Sequence, residues 1–454
     1  MSDQYTKRQS LFSFTKFILP SILSMVFISF YSAVDSYYVA QYVSTQAMAA
    51  VNIVLPFTNL VWGLAVMLAA GSSALVGIKL GEGKRKEANQ GFSLIFLFLL
   101  AVSSLVTVVA LFNIDRIIYF MGATDLLFED AKNYLFFIIA ATPILVAKLF
   151  LEYYVRLDGH PNFALFMSLI GLVLNIIFNH YTIVTMDMGV IGASFSTVAS
   201  ITASTLLGML YFLFYARTLS FTKPVWDSKL VLHSLTNGSS EMLTEVSSGI
   251  VGILFNITIL RYAGENGVAA MAVIINIFYF LVSIYLGIAV GASPLISYNY
   301  GADNKSNLTA IIKHCRVAII FSSVAVFTLA QIYGADVIRW YIGDNPTVIK
   351  IAADGFRLFA FCFLFLGVNV FMSGFYTAIG NGLVSALISA ARSLVFVALA
   401  LFTLPYLFGI KGVWWTIPAA EAITMVMSLS FYYVFVTKYF KGKQIVSKKA
   451  APSS

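Results

Sequence analysis

The sequence predicts an all-α polytopic membrane protein: twelve transmembrane helices in two six-helix lobes related by a parallel internal repeat. Three observations predict it: an apolar composition, apolar runs long enough to cross a bilayer, and self-similarity at an offset of about 220 residues. Of the 454 residues, 60% are hydrophobic and only 11% are charged, with a mean hydropathy of +0.89. A soluble fold cannot hide that much apolar surface. A helix needs about 20 residues to cross a hydrocarbon core of roughly 30 Å. Runs of this kind are read at 14–40, 50–78, 91–113, 133–155, 162–184, 189–215, 236–260, 268–298, 314–334, 356–378, 384–408 and 412–436. A transmembrane barrel would instead show ten-residue alternating segments, and SLIFLFLLAVSSLVTVVALF does not alternate.

Orientation follows from lysine and arginine. With the N-terminus inside, 19 of these residues fall on the inner side and 7 on the outer side. Both termini are therefore expected in the cytoplasm, and the net +8 is explained by topology without nucleic acid. Residues 1–13 are too polar, and the first span too long, for a removable signal peptide. Cys315 and Cys362 fall in or beside spans and are read as reduced packing residues.

The repeat is carried by three blocks. AAVNIVLPF…AAGSSALVGIKLG (49–81) lies over AAMAVIINI…AVGASPLISYNYG (269–301), with Gly71/Gly291, Ser73/Ser293 and Gly81/Gly301 each 220 apart. Gly189/Gly409 and Gly192/Gly412 keep that offset, while Gly159/Gly380 are 221 apart. An even number of helices per copy gives both copies the same orientation, and parallel halves flanking a cleft are a transporter layout. The expected domains are an N-terminal lobe over 1–215, a cytoplasmic linker over 216–235 containing FTKPVWDSK, a C-terminal lobe over 236–437 and a basic cytoplasmic tail over 438–454.

These residues resemble the multidrug and toxic compound extrusion (MATE) family. The matching pieces are VDSYYVAQYVSTQAMAAVNIVLPF, GSSALVGIKLGEGKRKEA, RLDGHPNFALF, VLNIIFNHYTIVTMDMGVIGASFSTV, GASPLISYNYGADNKSN and FGIKGVWWTIPAAE, in family order through nearly the whole chain. The resemblance implies two six-helix lobes around a central cavity. It also implies export of cationic or amphipathic organic compounds in exchange for H+ or Na+. The expected partners are then the lipid bilayer of the cell (plasma) membrane and small organic cations. The chain is expected to work as a monomer and as a carrier, not an enzyme, with no cofactor beyond the coupling ion.

Asp35 stands in FISFYSAVDSYYVAQYV, about twenty residues after the preceding charge, Lys16. A charged carboxylate inside the hydrocarbon layer costs about 2.5–3.5 kcal/mol on insertion scales, so such a group takes up a proton or a cation. A helix-end acid near the headgroups is the simpler alternative. The resemblance makes Asp35 the ion-binding residue of the N-terminal lobe, and the one place where Na+ is expected. Asn175 and Asn179, four apart and so on one helix face, supply amides, and Thr197 a hydroxyl. Here the chain departs from the family pattern. Asn179 stands where an Asp is frequent, followed by His180 where proline is usual. His180 is read as an interfacial histidine or a group titrating near neutral pH.

The second lobe carries Glu241 and Glu245 one turn apart, Arg392 in the eleventh span and Glu421 near the middle of the twelfth. An arginine that deep requires an acid partner, so Arg392 is expected to pair with Glu421 or a glutamate of the seventh span. A glutamate left unpaired would face the cavity and attract cations. Lys148 and Glu152, four apart, are expected to neutralise each other or to reach the cavity. Neither Asp35 nor Glu241, Glu245 or Glu421 has an acid at its repeat partner, which are Phe255, Ser21, Met25 and Ile201. Aromatic residues (40 Phe, 24 Tyr) mostly face lipid or pack between helices, and those lining a cleft would suit flat cations. The chain has no DDxxD cluster, no HExxH and no G-x-x-x-x-G-K-[ST], and His160, His180, His233 and His314 are scattered, which argues against prenyl transfer, metalloproteolysis and ATP hydrolysis. The rival reading is a lipid-linked oligosaccharide flippase of the same superfamily, which calls for a broad ring of cleft-facing bases.

Overall fold

The computed structural model describes residues 5, 9–343 and 345–441, and every regular element among them is helical. Of the charges used for orientation, Lys7, Arg8, Lys443, Lys448 and Lys449 lie outside the described residues, as does most of the expected tail. In chain order the helices are α1 (Leu11–Tyr42), α2 (Thr45–Gly81), α3 (Arg85–Phe112), α4 (Ile114–Phe120), α5 (Asp125–Ala140), α6 (Thr142–Leu157), α7 (Pro161–Asn179) and α8 (Gly189–Leu210). They continue as α9 (Ser228–Gly301), α10 (Lys305–Ile342), α11 (Pro346–Phe359), α12 (Phe363–Ala378), α13 (Gly382–Ala390), α14 (Phe396–Phe408) and α15 (Ile410–Val436). Ten helical stretches among the described residues are long and apolar enough to cross a membrane, or eleven when α5 and α6 count as one bent span.

Local chemistry sets the ends of these elements. The Ser10 side chain accepts from Ser13 N, Ser44 from Ala47 N, and Asp227 from both Lys229 N and Leu230 N, supplying acceptors for N–H groups that have no partner inside the helix. The Asp227 cap explains why α9 begins at Ser228, not at 236, where the apolar run begins: the cap, not hydropathy, starts the helix. The fourth expected span is broken by a 51° bend between α5 and α6. Pro143 stands in the first turn of α6, and its missing N–H cannot continue the ladder of α5.

The two spans expected at 236–260 and 268–298 emerge as one run of 74 residues, interrupted at Gly264 (φ 60°, ψ −160°). Only glycine adopts that backbone without strain. The chain folds back there: a methyl group on Gly267 would meet Ile259 Cγ1 at 3.3 Å, although eight residues of continuous helix would separate them by about 12 Å.

The first and second halves cross closely at one end. A Cβ on Gly81 would overlap Tyr298 O, and one on Gly301 would overlap Ile78 O, so α2 and the last turns of α9 touch backbone to backbone. A Cβ on Gly71 would likewise overlap Ser234 O, and one on Gly238 would overlap Met67 O. Small residues permit such approach where lipid supplies no hydrophobic drive for association. Asn237 ties the same end, its amide nitrogen donating to Gly71 O (3.1 Å) and Thr377 O (2.9 Å).

Candidate ion and substrate sites

Asp35, in the last third of α1, is met by three donors from other helices. Asn175 Nδ2 and Asn179 Nδ2 donate to its Oδ1 at 2.9 and 2.7 Å, and Thr197 Oγ1 donates to its Oδ2 at 2.8 Å. The helical spacing of the two amides places them one above the other on α7, and Asn179 Nδ2 also donates to Asn175 Oδ1 at 3.2 Å. Tyr31, one turn before Asp35, donates to Thr197 O at 3.1 Å and is bonded to Ser200. Both asparagines are fully buried, and Asn179 Oδ1 has no hydrogen-bond partner among the described residues. A carboxylate beside an amide oxygen with nothing to accept from is a pair of oxygens suited to a cation or an added proton. The chain continues from α7 as a π-helical turn, His180–Thr185, whose Thr182 Oγ1 bonds Gly192 O (3.0 Å) and so ties α7 to α8.

The second group lies between the first and second halves of the chain. A cavity of about 500 Å³ is lined from the first half by residues including Trp62, Glu152 and Tyr153, and from the second by Glu241, Glu245, Arg392 and Glu421. Arg392 sits on a π-helical turn, Ala391–Val395, between α13 and α14, and its Nη1 bonds Glu421 Oε1 at 3.1 Å. The Glu421 carboxylate is also held by Asn369, whose Nδ2 donates to Oε2 at 2.7 Å and to Glu421 O at 2.8 Å. Ser428 in turn donates to Asn369 Oδ1 at 2.9 Å. Among the described residues neither Glu241 nor Glu245 has an ion-pair partner within 4.0 Å. The cavity wall thus carries four acids against one base, and that base is already paired.

The expected site residues fall into separate places. Asp35, Asn175, Asn179 and Thr197 meet one another but do not line the cavity. Lys148 Nζ pairs with Glu152 Oε1 at 3.0 Å, which Ser168 Oγ also donates to at 3.1 Å. Glu152 reaches the cavity wall, whereas Lys148 does not. His180 is not in the cavity either. It is exposed at the end of α7, edge-on to Tyr38 at 6.5 Å between ring centroids. Tyr31, Ser200, Asn369 and Ser428 were missed by sequence reasoning. The signal for Asn369 was present, a lone amide in the apolar run FLFLGVNVFMSG, because a buried amide must find partners.

The family model MatE matches residues 20–181 and again residues 241–402. The chain is similar to the multidrug export protein MepA of Staphylococcus aureus (strain MRSA252), 23% identical over 425 residues that cover 92% of each chain. To the MepA of Staphylococcus saprophyticus it is 22% identical over 440 residues, 95% of each. Among solved structures it resembles an outward-facing multidrug resistance MATE family transporter of the MOP superfamily, with a TM-score of 0.90 at 20% identity, over 97% of this chain and 99% of that one. It also resembles a MOP superfamily transporter from Pyrococcus furiosus described as having a binding pocket of reverse polarity (TM-score 0.88, 21% identity, 95% and 97% covered). Two matches to one family model, together spanning most of the chain, identify it: this protein belongs to the MatE family of membrane transporters.

Proposed function

We propose that the protein exports cationic or amphipathic organic compounds across the cell membrane by alternating access, driven by H+ or Na+ entering at Asp35. The observation that carries this reading is the cavity wall, where Glu241 and Glu245 have no ion-pair partner among the described residues, while Glu421 is bonded to Arg392 and Glu152 to Lys148. Such a wall attracts an organic cation, and Trp62 and Tyr153 add aromatic faces to it. It disfavours the polyanionic head of a lipid-linked oligosaccharide.

Counting the two limbs of α9 on either side of Gly264 as separate spans, and α5 with α6 as one, gives twelve helices. The doubled family match, its two parts starting 221 residues apart, and the reciprocal Gly81/Tyr298 and Gly301/Ile78 contacts, each residue 220 from its counterpart, support two repeated lobes. On this reading both termini are cytoplasmic, the lobes rock about the segment after α8, and the ends of α2 and α9 close the cytoplasmic side.

Asp35 is the coupling group of this reading. Protonation removes a charge from α1, and rotation of the Asn179 amide exchanges a donor for an acceptor, so the same three side chains serve the charged, neutral and Na+-bound states. Competition of proton and cation for one carboxylate must be reciprocal. Expression in a pump-deficient host should raise resistance to several unrelated cationic dyes, and Glu241→Gln with Glu245→Gln should lower it. Absence of resistance and of vesicle flux for every dye, with the protein present in the membrane, would overturn the proposal.

A further inference from the structure

Tyr5 precedes α1 and lies outside every span, yet its side chain is only 4% exposed. Its hydroxyl donates to Leu157 O at 2.8 Å and stands 3.2 Å from Arg156 O. These are carbonyls of the last turn of α6, where the helix itself supplies no donors. The ring of Tyr5 lies 5.0 Å from the ring of Tyr298, near the end of α9, and 6.1 Å, edge-on, from Phe17 of α1. Neither of the two sites above uses any of these groups.

The backbone at Tyr5 and Gln9 is anchored on the other half. Asn307 of α10 is buried, and its Nδ2 donates to Tyr5 O at 3.2 Å and to Asn299 Oδ1 at 2.9 Å. Its Oδ1 accepts from Gln9 N at 2.9 Å. His314, two turns further along α10, donates from Nε2 to Gln9 O at 3.0 Å. A buried amide must find partners, and Asn307 finds most of its own in the chain before α1. The inner part of α1 lies on the same half, since a Cβ on Gly287 would overlap Ile22 of α1. The anchor of Tyr5 is therefore in the second half, and its hydroxyl ends on the first.

We infer that Tyr5 is a latch between the two halves, anchored on Asn307 and His314 of the second and hydrogen-bonded to the end of α6 in the first, and that it holds this end of the protein closed. Its ring covers Tyr298, whose carbonyl meets Gly81, so the latch sits at the backbone crossing of α2 and α9. Separation of the halves here carries Leu157 away from Asn307, and Tyr5 cannot then keep its bonds to both. The hydroxyl bond exists only in the closed arrangement and shifts the population toward it. Release is cheap, because water replaces the hydroxyl at the α6 carbonyls and the net worth of one hydrogen bond is small. On the orientation proposed above this is the cytoplasmic end, so the latch holds the transporter outward-facing. The latch itself does not depend on what the transporter exports.

The test is the rate at which maleimide labels Ser297→Cys in the purified full-length protein, since Ser297 is buried between the halves at this end. Cys315 and Cys362, both buried, are the internal control: a folded variant labels them no faster than the wild type does. Tyr5→Phe keeps the ring on Tyr298 and loses only the hydroxyl, and should raise the Ser297→Cys rate about fivefold, the population shift expected from one hydrogen bond. Tyr5→Ala, which loses the ring as well, should raise it further, and Asn307→Leu, which removes the anchor, should also raise it. Should Asn307→Leu expose the native cysteines, Tyr5→Phe decides alone, because it removes one oxygen atom and leaves every span unchanged. The rate reads opening of this end and not export, so failure of the latch and failure of the transport reading are separate results. A Tyr5→Phe rate equal to that of the wild type would overturn the inference, whatever Tyr5→Ala does.

Discussion

Replacing Arg392 with alanine leaves the Glu421 carboxylate in the membrane interior without its counter-charge. The pair is 3.1 Å apart, with side chains only 10% and 3% exposed. At that separation and an effective dielectric of about 20, the attraction is roughly 5 kcal/mol before desolvation is subtracted, and removal of one partner of a buried pair typically costs about 3–5 kcal/mol. The two single variants should differ. Arg392→Ala leaves Glu421 with the Asn369 donor at 2.7 Å, which places its cost near the lower figure, about 3 kcal/mol. Glu421→Ala leaves Arg392 with no acceptor among the described residues, and places it near the upper figure, about 5 kcal/mol. The double variant carries no stranded charge and should recover up to about 3 kcal/mol of the summed loss. A chain of this size does not unfold in two states, so the assay is the order of melting temperatures and membrane yields: wild type highest, Arg392→Ala next, Glu421→Ala below it, and the double variant close to Glu421→Ala and well above the additive expectation. A double variant equal to the sum of the singles would refute the pairing.

Asn369→Leu removes the donor to Glu421 and strands the Ser428 hydroxyl. It should cost about 1.5–3 kcal/mol, read as a lower melting temperature, and an unchanged value would show that Arg392 alone holds the carboxylate. Gly81→Leu should force α2 off the Tyr298 backbone, so that a cysteine placed at Ser297 is labelled by maleimide faster than in the Gly81 parent. An equal labelling rate would mean that this crossing does not set the closed end. Asp158 is buried and accepts from Thr218 N (2.9 Å), Leu219 N (2.8 Å) and Tyr211 Oη (2.6 Å), fixing the segment after α8 to the end of α6. Asp158→Ala should therefore speed proteolysis within 216–227, and unchanged cleavage would show that the segment is held elsewhere.

What was legible in the sequence depended on whether the signal was local. Asp35 with Asn175, Asn179 and Thr197 could be assembled from one isolated acid, an i, i+4 amide pair and the family resemblance, and the three hydrogen bonds fall where those residues are. Arg392 with Glu421 followed from the cost of an isolated cation in hydrocarbon. The fold-back at Gly264 was foreseen as a gap between two apolar runs, but the bend at Pro143 was not, because hydropathy is continuous across it. Arg156 shows the opposite failure. Counted by position it is an ordinary inner-side charge; its burial arises only when residues near 73 and 293 close over it, a contact that no window along the chain can reveal. Asp158, one residue past α6 in RLDG, reads as a loop acid until the 217–219 backbone is brought onto it.

The most direct measurement of the proposed coupling is dye transport by Asp35→Asn in vesicles under separately imposed proton and sodium gradients. The asparagine is close to the protonated aspartate in shape and carries no charge, so the α1–α7–α8 contacts can persist while the charge can no longer be taken up and released. The variant should fold, insert and bind dye, yet show no transport driven by either gradient and no pH dependence. Transport at the wild-type rate with the wild-type pH dependence would contradict the assignment and move the coupling to Glu241 and Glu245 on the cavity wall.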